Sequence, residues 1–225
     1  LPNYQALFHF ERTLPLDYAF LKRVIEAGVS HVLVTGTCFE YGLQSGPLSE
    51  TVIAQPCTPY GLAKHTLHRF LEALQRERAF TLQWARLFYL HGAGQNPNSL
   101  LASLDRAIDE GDAQFNMSAG DQLRDYLEIG QAASQLASLI ARRDVDGVIN
   151  CCSGHPVSVR TLVEQRVRER QSAIALNLGH YGYSGHEPMA FWGDARRISQ
   201  LRREEHAALT VSSERTADPP EPYIC

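Results

Sequence analysis

No stretch of the 225-residue chain approaches the roughly 20 consecutive apolar residues that a helix needs to cross a bilayer, so no membrane span is expected. No charge of one sign dominates either. The 21 Lys and Arg stand against 25 Asp and Glu, a net charge of −4, which gives no electrostatic ground for non-specific nucleic-acid binding. There is no internal repeat and no initiator Met before LPNYQALFHF, and no signal peptide is expected at the start. Cysteine is sparse: Cys38, Cys57, Cys151, Cys152 and Cys225 make an odd number with one adjacent pair and no C-x-x-C spacing for zinc. Reduced thiols in a cytoplasmic protein are the expectation. The nine histidines, His65, His68, His91 and His180 among them, form neither H-x-H nor H-E-x-x-H, and no metal site is expected.

What is present is ordinary for a globular chain: 44% apolar and 20% charged residues, enough for one good core or a core with a smaller lobe. Leu16 to Ala27 reads as a helix, with Pro15 at its entry, Leu16, Phe20, Val24 and Ala27 at helical spacing, and Gly28 as a stop. HVLVTG reads as a buried strand, the segment 43–58 as a loop, Pro59 to Arg78 as a long helix and TLQWARLFYL as a second strand. A helix from Leu100 to about Glu110, capped by Asn98 or Ser99, follows the loop GAGQNPNS. Strands at AQFNM, RDYLEI and GVINCC alternate with helices from about Gly130 to Arg142 and over SVRTLVEQRVRER, and Ser212 to Cys225 reads as a loosely held end. Alternation of strand and helix predicts an α/β fold, a parallel sheet covered by helices.

One stretch carries chemistry. In PYGLAKHTLHRF, residues 59–70, the helical period puts Tyr60, Ala63, Lys64, Leu67, Phe70, Leu71 and Leu74 on one face. Residues four apart are neighbours on a helix, so Lys64 can reach alongside Tyr60. A nearby ammonium favours tyrosinate and predicts a lowered phenol pKa, which suits proton exchange near neutral pH. Taken alone, the pair is more simply a packed tyrosine beside a lysine snorkelling over apolar neighbours. Upstream, VTGTCFEYG runs from a strand into a turn, and in an open parallel sheet ligands bind at the carboxyl ends of strands. Thr37 sits there. It can hold a substrate oxygen opposite Tyr60, or simply bond the local backbone of its turn.

The order strand, TGTCFEYG, proline-bearing loop, PYGLAK, long helix, RLFYLHGAG, QLRDYLEI and INCCSGHPVSVRTLV resembles the extended short-chain dehydrogenase/reductase family of nucleotide-sugar epimerases, dehydratases and reductases. Within it the chain looks most like reductases acting on nucleotide-linked 4-keto-6-deoxyhexoses. The resemblance implies a Rossmann-like parallel sheet with helices on both faces and a smaller C-terminal substrate lobe. Residues 1–92 would then be the remaining part of the dinucleotide-binding domain, and 93–225 mainly the substrate lobe, with 124–150 returning to the first domain. It implies Thr37, Tyr60 and Lys64 as the catalytic set, and Thr35, Tyr60, Lys64 and Phe88 beside NAD or NADP. Thr37, Tyr89 and Arg124 would face a nucleotide-sugar substrate, Arg124 as the fork for its diphosphate. A homodimer through the long helices is implied as well, with Phe20 and Val24 in the interface.

The departures from the family pattern are informative. Dehydratases carry an Asp-Glu pair directly after the catalytic threonine; here Cys38 and Phe39 stand there, which argues against dehydration. Tyr89 replaces an asparagine common in relatives. The family's opening G-x-x-G-x-x-G turn is missing, and GAGQNPNS, with Pro97 for the third glycine, reads as an ordinary turn. The expectation is a chain lacking its first βαβ units. Arg196 reads as a helix-surface arginine. Reduction or oxidation at the sugar's C4 is the leading expectation, with 4-epimerisation and a non-catalytic nucleotide-binding module or inactive fragment as alternatives.

Overall fold

In the computed structural model, which describes residues 3–183, 185 and 187–204, strand and helix alternate as the sequence predicts. A π-helical turn, His9–Thr13, leads into α1 (Leu14–Glu26), β1 (His31–Thr37), a 3-10 turn over Cys38–Tyr41, β2 (Gly46–Leu48), α2 (Pro59–Gln75) and β3 (Thr81–Leu87). Then follow β4 (Tyr89–His91), α3 (Leu100–Asp109), β5 (Gln114–Asn116), β6 (Leu123–Glu128), α4 (Ile129–Ala141) and β7 (Gly147–Cys151). The series ends with β8 (Pro156–Ser158), α5 (Val159–Glu169), β9 (Ala175–Asn177) and β10 (Phe191–Gly193), and residues 196–204 are helical. The end segment from Ser212 lies outside the described residues.

The central sheet runs β1-β3-β7, all parallel. Its register sets Thr37 against Leu87 and Leu87 against Cys151, so the three carboxyl ends share one edge. Side chains alternate across a strand, and the two faces of this sheet carry separate cores. Val32, Leu82 and Trp84 pack with Ile25 of α1 and Leu67, Leu71 and Leu74 of α2. Ala85, Ile149 and Cys151 pack on the opposite face with Leu139 of α4 and Ile198. Helices thus cover both faces.

Two faces differ from expectation. α1 buries Ile25, flanked by Leu14, Tyr18 and Leu21, and turns Leu16 (60% exposed) and Phe20 (66% exposed) outward. On α2, Phe70 is exposed too, edge-on to Tyr18 at 5.3 Å, and His68 takes an inward place, stacked on Trp84 at 4.7 Å. Both helices carry two apolar stripes, and the sheet can cover only one of each. The expected second strand also breaks at Phe88. Its first part stays in the central sheet, whereas β4 leaves to pair with β6, which pairs in turn with β8. The expected loop 43–58 contains β2, zipped in parallel to β10. A further core of Leu101, Leu104, Ala107, Met117, Val163 and Ile174 joins α3, α5 and the β5–β9 pair.

Candidate active site

β1 delivers Thr37 to the sheet edge, and the following turn fixes it. The T-x-x-E of TCFE is a capping box: the Thr37 hydroxyl accepts from Phe39 N at 3.3 Å and Glu40 Oε1 accepts from Thr37 N at 2.9 Å. The hydroxyl thus bonds the local backbone of its turn, and it also lies beside the Tyr60 side chain, where it lowers that phenol's pKa. Tyr60 is brought in by the start of α2, where Thr58 caps Gly61 N at 3.1 Å and Pro59 occupies the first turn. Gly61 permits the approach. A Cβ there would lie 2.6 Å from the Phe39 carbonyl oxygen.

Thr37 and Tyr60 open into a cleft of about 420 Å³ at the carboxyl ends of β1 and β3, which Thr35, Phe88, Tyr89, Tyr126 and Glu187 also line. The larger, more open hollow near Trp192 and Arg196 lies apart from these groups and carries none of this chemistry. Arg196 has the surface position expected of it, paired with Asp194.

Lys64 does not join them. Its Nζ lies 3.9 Å from Asp17 Oδ2 on α1, and it does not line the cleft. The expected lowering of the Tyr60 pKa is therefore corrected. Burial pushes the phenol up, the neighbouring Thr37 hydroxyl pulls it down, and the nearby Cys38 and Glu40 push it up again, for a net rise. The spacing placed Lys64 beside Tyr60 correctly along the helix, but a carboxylate on the neighbouring helix draws the ammonium away.

Arg124 is buried (3% exposed) and engaged. Its Nε and Nη2 donate to Glu187 Oε2 at 3.2 and 3.0 Å, and Nη1 donates to the carbonyls of Leu123 and Met189 at 2.9 and 3.2 Å. Arg124 is not among the residues that line the cleft. Tyr89 faces the cleft and donates to Glu187 Oε2 at 2.6 Å. Cys38, at the place of the dehydratase acid, is buried with its thiol pushed far up by burial. Gly92 in GAGQNPNS is needed for packing, since a Cβ would meet Ile129 Cγ2 at 2.6 Å.

Several site residues escaped the sequence reading. Glu40, fully buried, also accepts from Trp84 Nε1 at 2.9 Å and Arg86 Nε at 3.1 Å. Burial would raise its pKa, but the His65 imidazole 3.8 Å away, the Arg86 charge and the Thr37 and Trp84 donors hold it below the usual carboxylate range. Its signal was the capping box itself. Glu40, His65 and His68 bring ligand-type atoms within 4.8 Å of one another, although the sequence suggested no such group. Arg86 already neutralises that carboxylate and opposes a cation there. Tyr4 lines the cleft, its carbonyl accepts from Tyr60 N at 3.0 Å, and burial pushes its phenol up to about 12. Glu187 had no signal, being distant in sequence from both of its partners.

A parallel sheet covered by helices on both faces, with a cleft at its carboxyl edge, defines the doubly wound α/β class, in which ligands bind at the strand ends. Residues 9–152 match the model described as the NAD dependent epimerase/dehydratase family, and the chain belongs to that family. It is 30% identical over 177 residues to dTDP-6-deoxy-L-talose 4-dehydrogenase (NAD(+)) of Aggregatibacter actinomycetemcomitans, covering 78% of this chain and 65% of that protein. It is 27% identical over 163 residues to GDP-6-deoxy-D-talose 4-dehydrogenase of the same organism, covering 71% and 54%. Among solved structures, UDP-glucuronic acid 4-epimerase from Bacillus cereus, in complex with UDP-glucuronic acid and NAD, superposes with a TM-score of 0.76 at 19% identity, covering 84% of this chain and 60% of that one. The likeness bears out the Rossmann-like fold. The chain spans between half and two thirds of the length of these relatives.

Proposed function

We propose that this chain carries the reaction centre of an NAD(P)-dependent oxidoreductase that interconverts a ketone and a hydroxyl at C4 of a nucleotide-linked 6-deoxyhexose. The observation that carries this reading is the Thr37–Tyr60 hydroxyl pair, opening into a cleft at the carboxyl edge of the parallel sheet. The cleft suits the nicotinamide-ribose end of the dinucleotide, with Phe88 and Leu87 as apolar wall and Thr35, Thr37 and Tyr60 as hydroxyl donors. The bound nicotinamide supplies or takes the hydride.

Thr37 orients the reacting oxygen. Tyr60, neutral at pH 7 as an ordinary phenol is, donates the proton when a ketone is reduced and takes it back as tyrosinate when the alcohol is oxidised. Lys64 serves the cofactor ribose. Its 3.9 Å pair with half-exposed Asp17 is of the kind worth at most about 1 kcal/mol and yields readily to a better partner. The relatives' names, both 4-dehydrogenases of 6-deoxytaloses, support the sugar class. We further propose that residues 1–92 belong to the dinucleotide domain, that the α3–α5 cluster forms the substrate lobe, and that the enzyme is a cytoplasmic homodimer.

Tyr60→Phe in the full enzyme tests the chemistry. Loss of the proton donor should lower kcat by about 10²- to 10⁴-fold while nucleotide-sugar binding is kept. Undiminished turnover would exclude the role.

A further inference from the structure

Tyr4 lines the cleft, yet no motif marked it and the proposed reaction leaves it without a task. We infer that its hydroxyl donates to the sugar oxygen at C3, next to the reacting C4, so that Tyr4 binds substrate and sets specificity. This rests on the nucleotide-sugar reading above.

The N-terminal segment is built around the acid/base phenol. The Tyr4 carbonyl accepts from Tyr60 N at 3.0 Å, one of the first-turn N–H groups that a helix leaves without an internal partner. The Tyr4 ring packs on Phe39, with ring centres 4.5 Å apart, and on Tyr60, with centres 5.4 Å apart. Buried His9 closes the other end of the segment. Its ring Nε2 donates to the Asn3 carbonyl at 3.2 Å, and the ring lies 5.1 Å from that of Tyr60. Residues 3–9 thus form a strap fixed to Tyr60 on two sides.

Neither tie of Tyr4 uses its hydroxyl. One runs through the carbonyl and the other through the ring, and no described residue hydrogen-bonds the phenol oxygen. Burial pushes that phenol up to about 12, with the Tyr60, Cys38 and Glu187 charges adding to the rise, so the group stays a protonated donor. A polar group in such a place is satisfied by solvent or by ligand. It is held in position before either arrives.

The sugar decides which oxygen it meets. Thr37 and Tyr60 take the oxygen on C4, and C4 of a pyranose has two ring neighbours. In a 6-deoxyhexose C5 carries the methyl group and the ring oxygen, whereas C3 carries a hydroxyl. A second phenol beside the first therefore finds its hydroxyl partner at C3. A site that bonds a hydroxyl also rejects the analogue lacking it, since the protein group is then left unpaired.

The test compares wild type with Tyr4→Phe in the full enzyme. The substrates are whichever of dTDP-6-deoxy-L-talose and GDP-6-deoxy-D-talose the wild type turns over faster, and the 3-deoxy analogue of that compound. Phenylalanine keeps the ring contacts and the carbonyl tether and removes the hydroxyl alone. Y4F should lower kcat/KM on the parent sugar about three- to tenfold, the net worth of one neutral hydrogen bond. On the 3-deoxy analogue the two proteins should agree within about twofold, because the pair is already broken there. Equal losses on both sugars would make the hydroxyl structural, and no loss on either would leave it without a role; each overturns the inference. A wild type that turns over neither nucleotide sugar removes the functional reading, and the inference with it. An active wild type with an unaltered Y4F removes the inference alone.

Discussion

At the scale of single residues, the site rests on Glu40. It collects Thr37 N, Trp84 Nε1 and Arg86 Nε in a place closed to water, and Gly36 makes room for it, since a Cβ there would fall 2.4 Å from Glu40 Oε1. Removing one partner of a buried ion pair leaves the other uncompensated, at a cost of about 3–5 kcal/mol. Glu40→Gln should lose about that much in urea unfolding at pH 7 and turn over more slowly, because Thr37 loses its anchor. The pH dependence has a definite sign. The folded pKa of Glu40 lies below its unfolded value, so its contribution is full above the unfolded pKa of about 4.3 and is lost as pH falls through the folded pKa. The gap between wild type and variant should be constant from pH 7 to about 5 and narrow below that; a gap that widens in acid contradicts the assignment. Thr37 and Tyr60 were legible in the sequence because local turn chemistry and helix spacing fix both. Lys64 was legible in position only, since its direction depends on Asp17 of another helix, and for Arg124, expected to face a diphosphate, neither its burial nor its ion pair with Glu187 could be read from the sequence.

At the scale of elements, the first turn of α2 decides whether two hydroxyls meet. Its contact with the Cys38–Tyr41 turn is backbone against backbone at Gly61, where neither side can swing away. Gly61→Ala therefore forces the helix start off the turn. Overpacking of this kind costs about 1–3 kcal/mol, and the same displacement parts Tyr60 from Thr37. The variant should melt lower and lose most of its turnover, while Gly182→Ala, with no heavy atom within 4 Å of the added Cβ, should change neither. Full activity in Gly61→Ala would mean that the close approach is not needed. Strand and helix identity could be read from the sequence because period and punctuation are local properties. Which stripe of a helix meets the sheet could not, since Leu16 and Phe20 are as apolar as Leu14 and Leu21. Nor could the fate of Gln83, a buried strand amide that donates to the carbonyls of Leu139 and Arg142 at 2.8 and 2.7 Å and so closes the end of α4. The break at Phe88 was hidden for the same reason: only the register with β7 ends one sheet and frees β4 for another.

At the scale of the whole molecule, the outward stripes of α1 and α2 pose a common question. Leu16 and Phe20 lie four apart on α1 and follow one helix face, and α2 exposes Leu62 and Phe70. The two helices pack against each other, with Phe70 edge-on to Tyr18 of α1, and all four of these side chains are exposed. Scattered exposed apolar residues need no explanation, but a shared stripe on adjoining helices is the form of a subunit contact. A twofold axis would set it against its own copy, burying each helix pair on the other. The full enzyme should then sediment as a dimer at micromolar concentration, with a melting temperature that rises with protein concentration, as linkage to association requires. Phe20→Glu puts a charge at the middle of that surface. It should yield monomers whose Thr37–Tyr60 cleft still binds nucleotide sugar, because Phe20 takes no part in the core against which that cleft is built. A wild type that stays monomeric at tens of micromolar, or a Phe20→Glu variant that still pairs, would assign this face to some other contact.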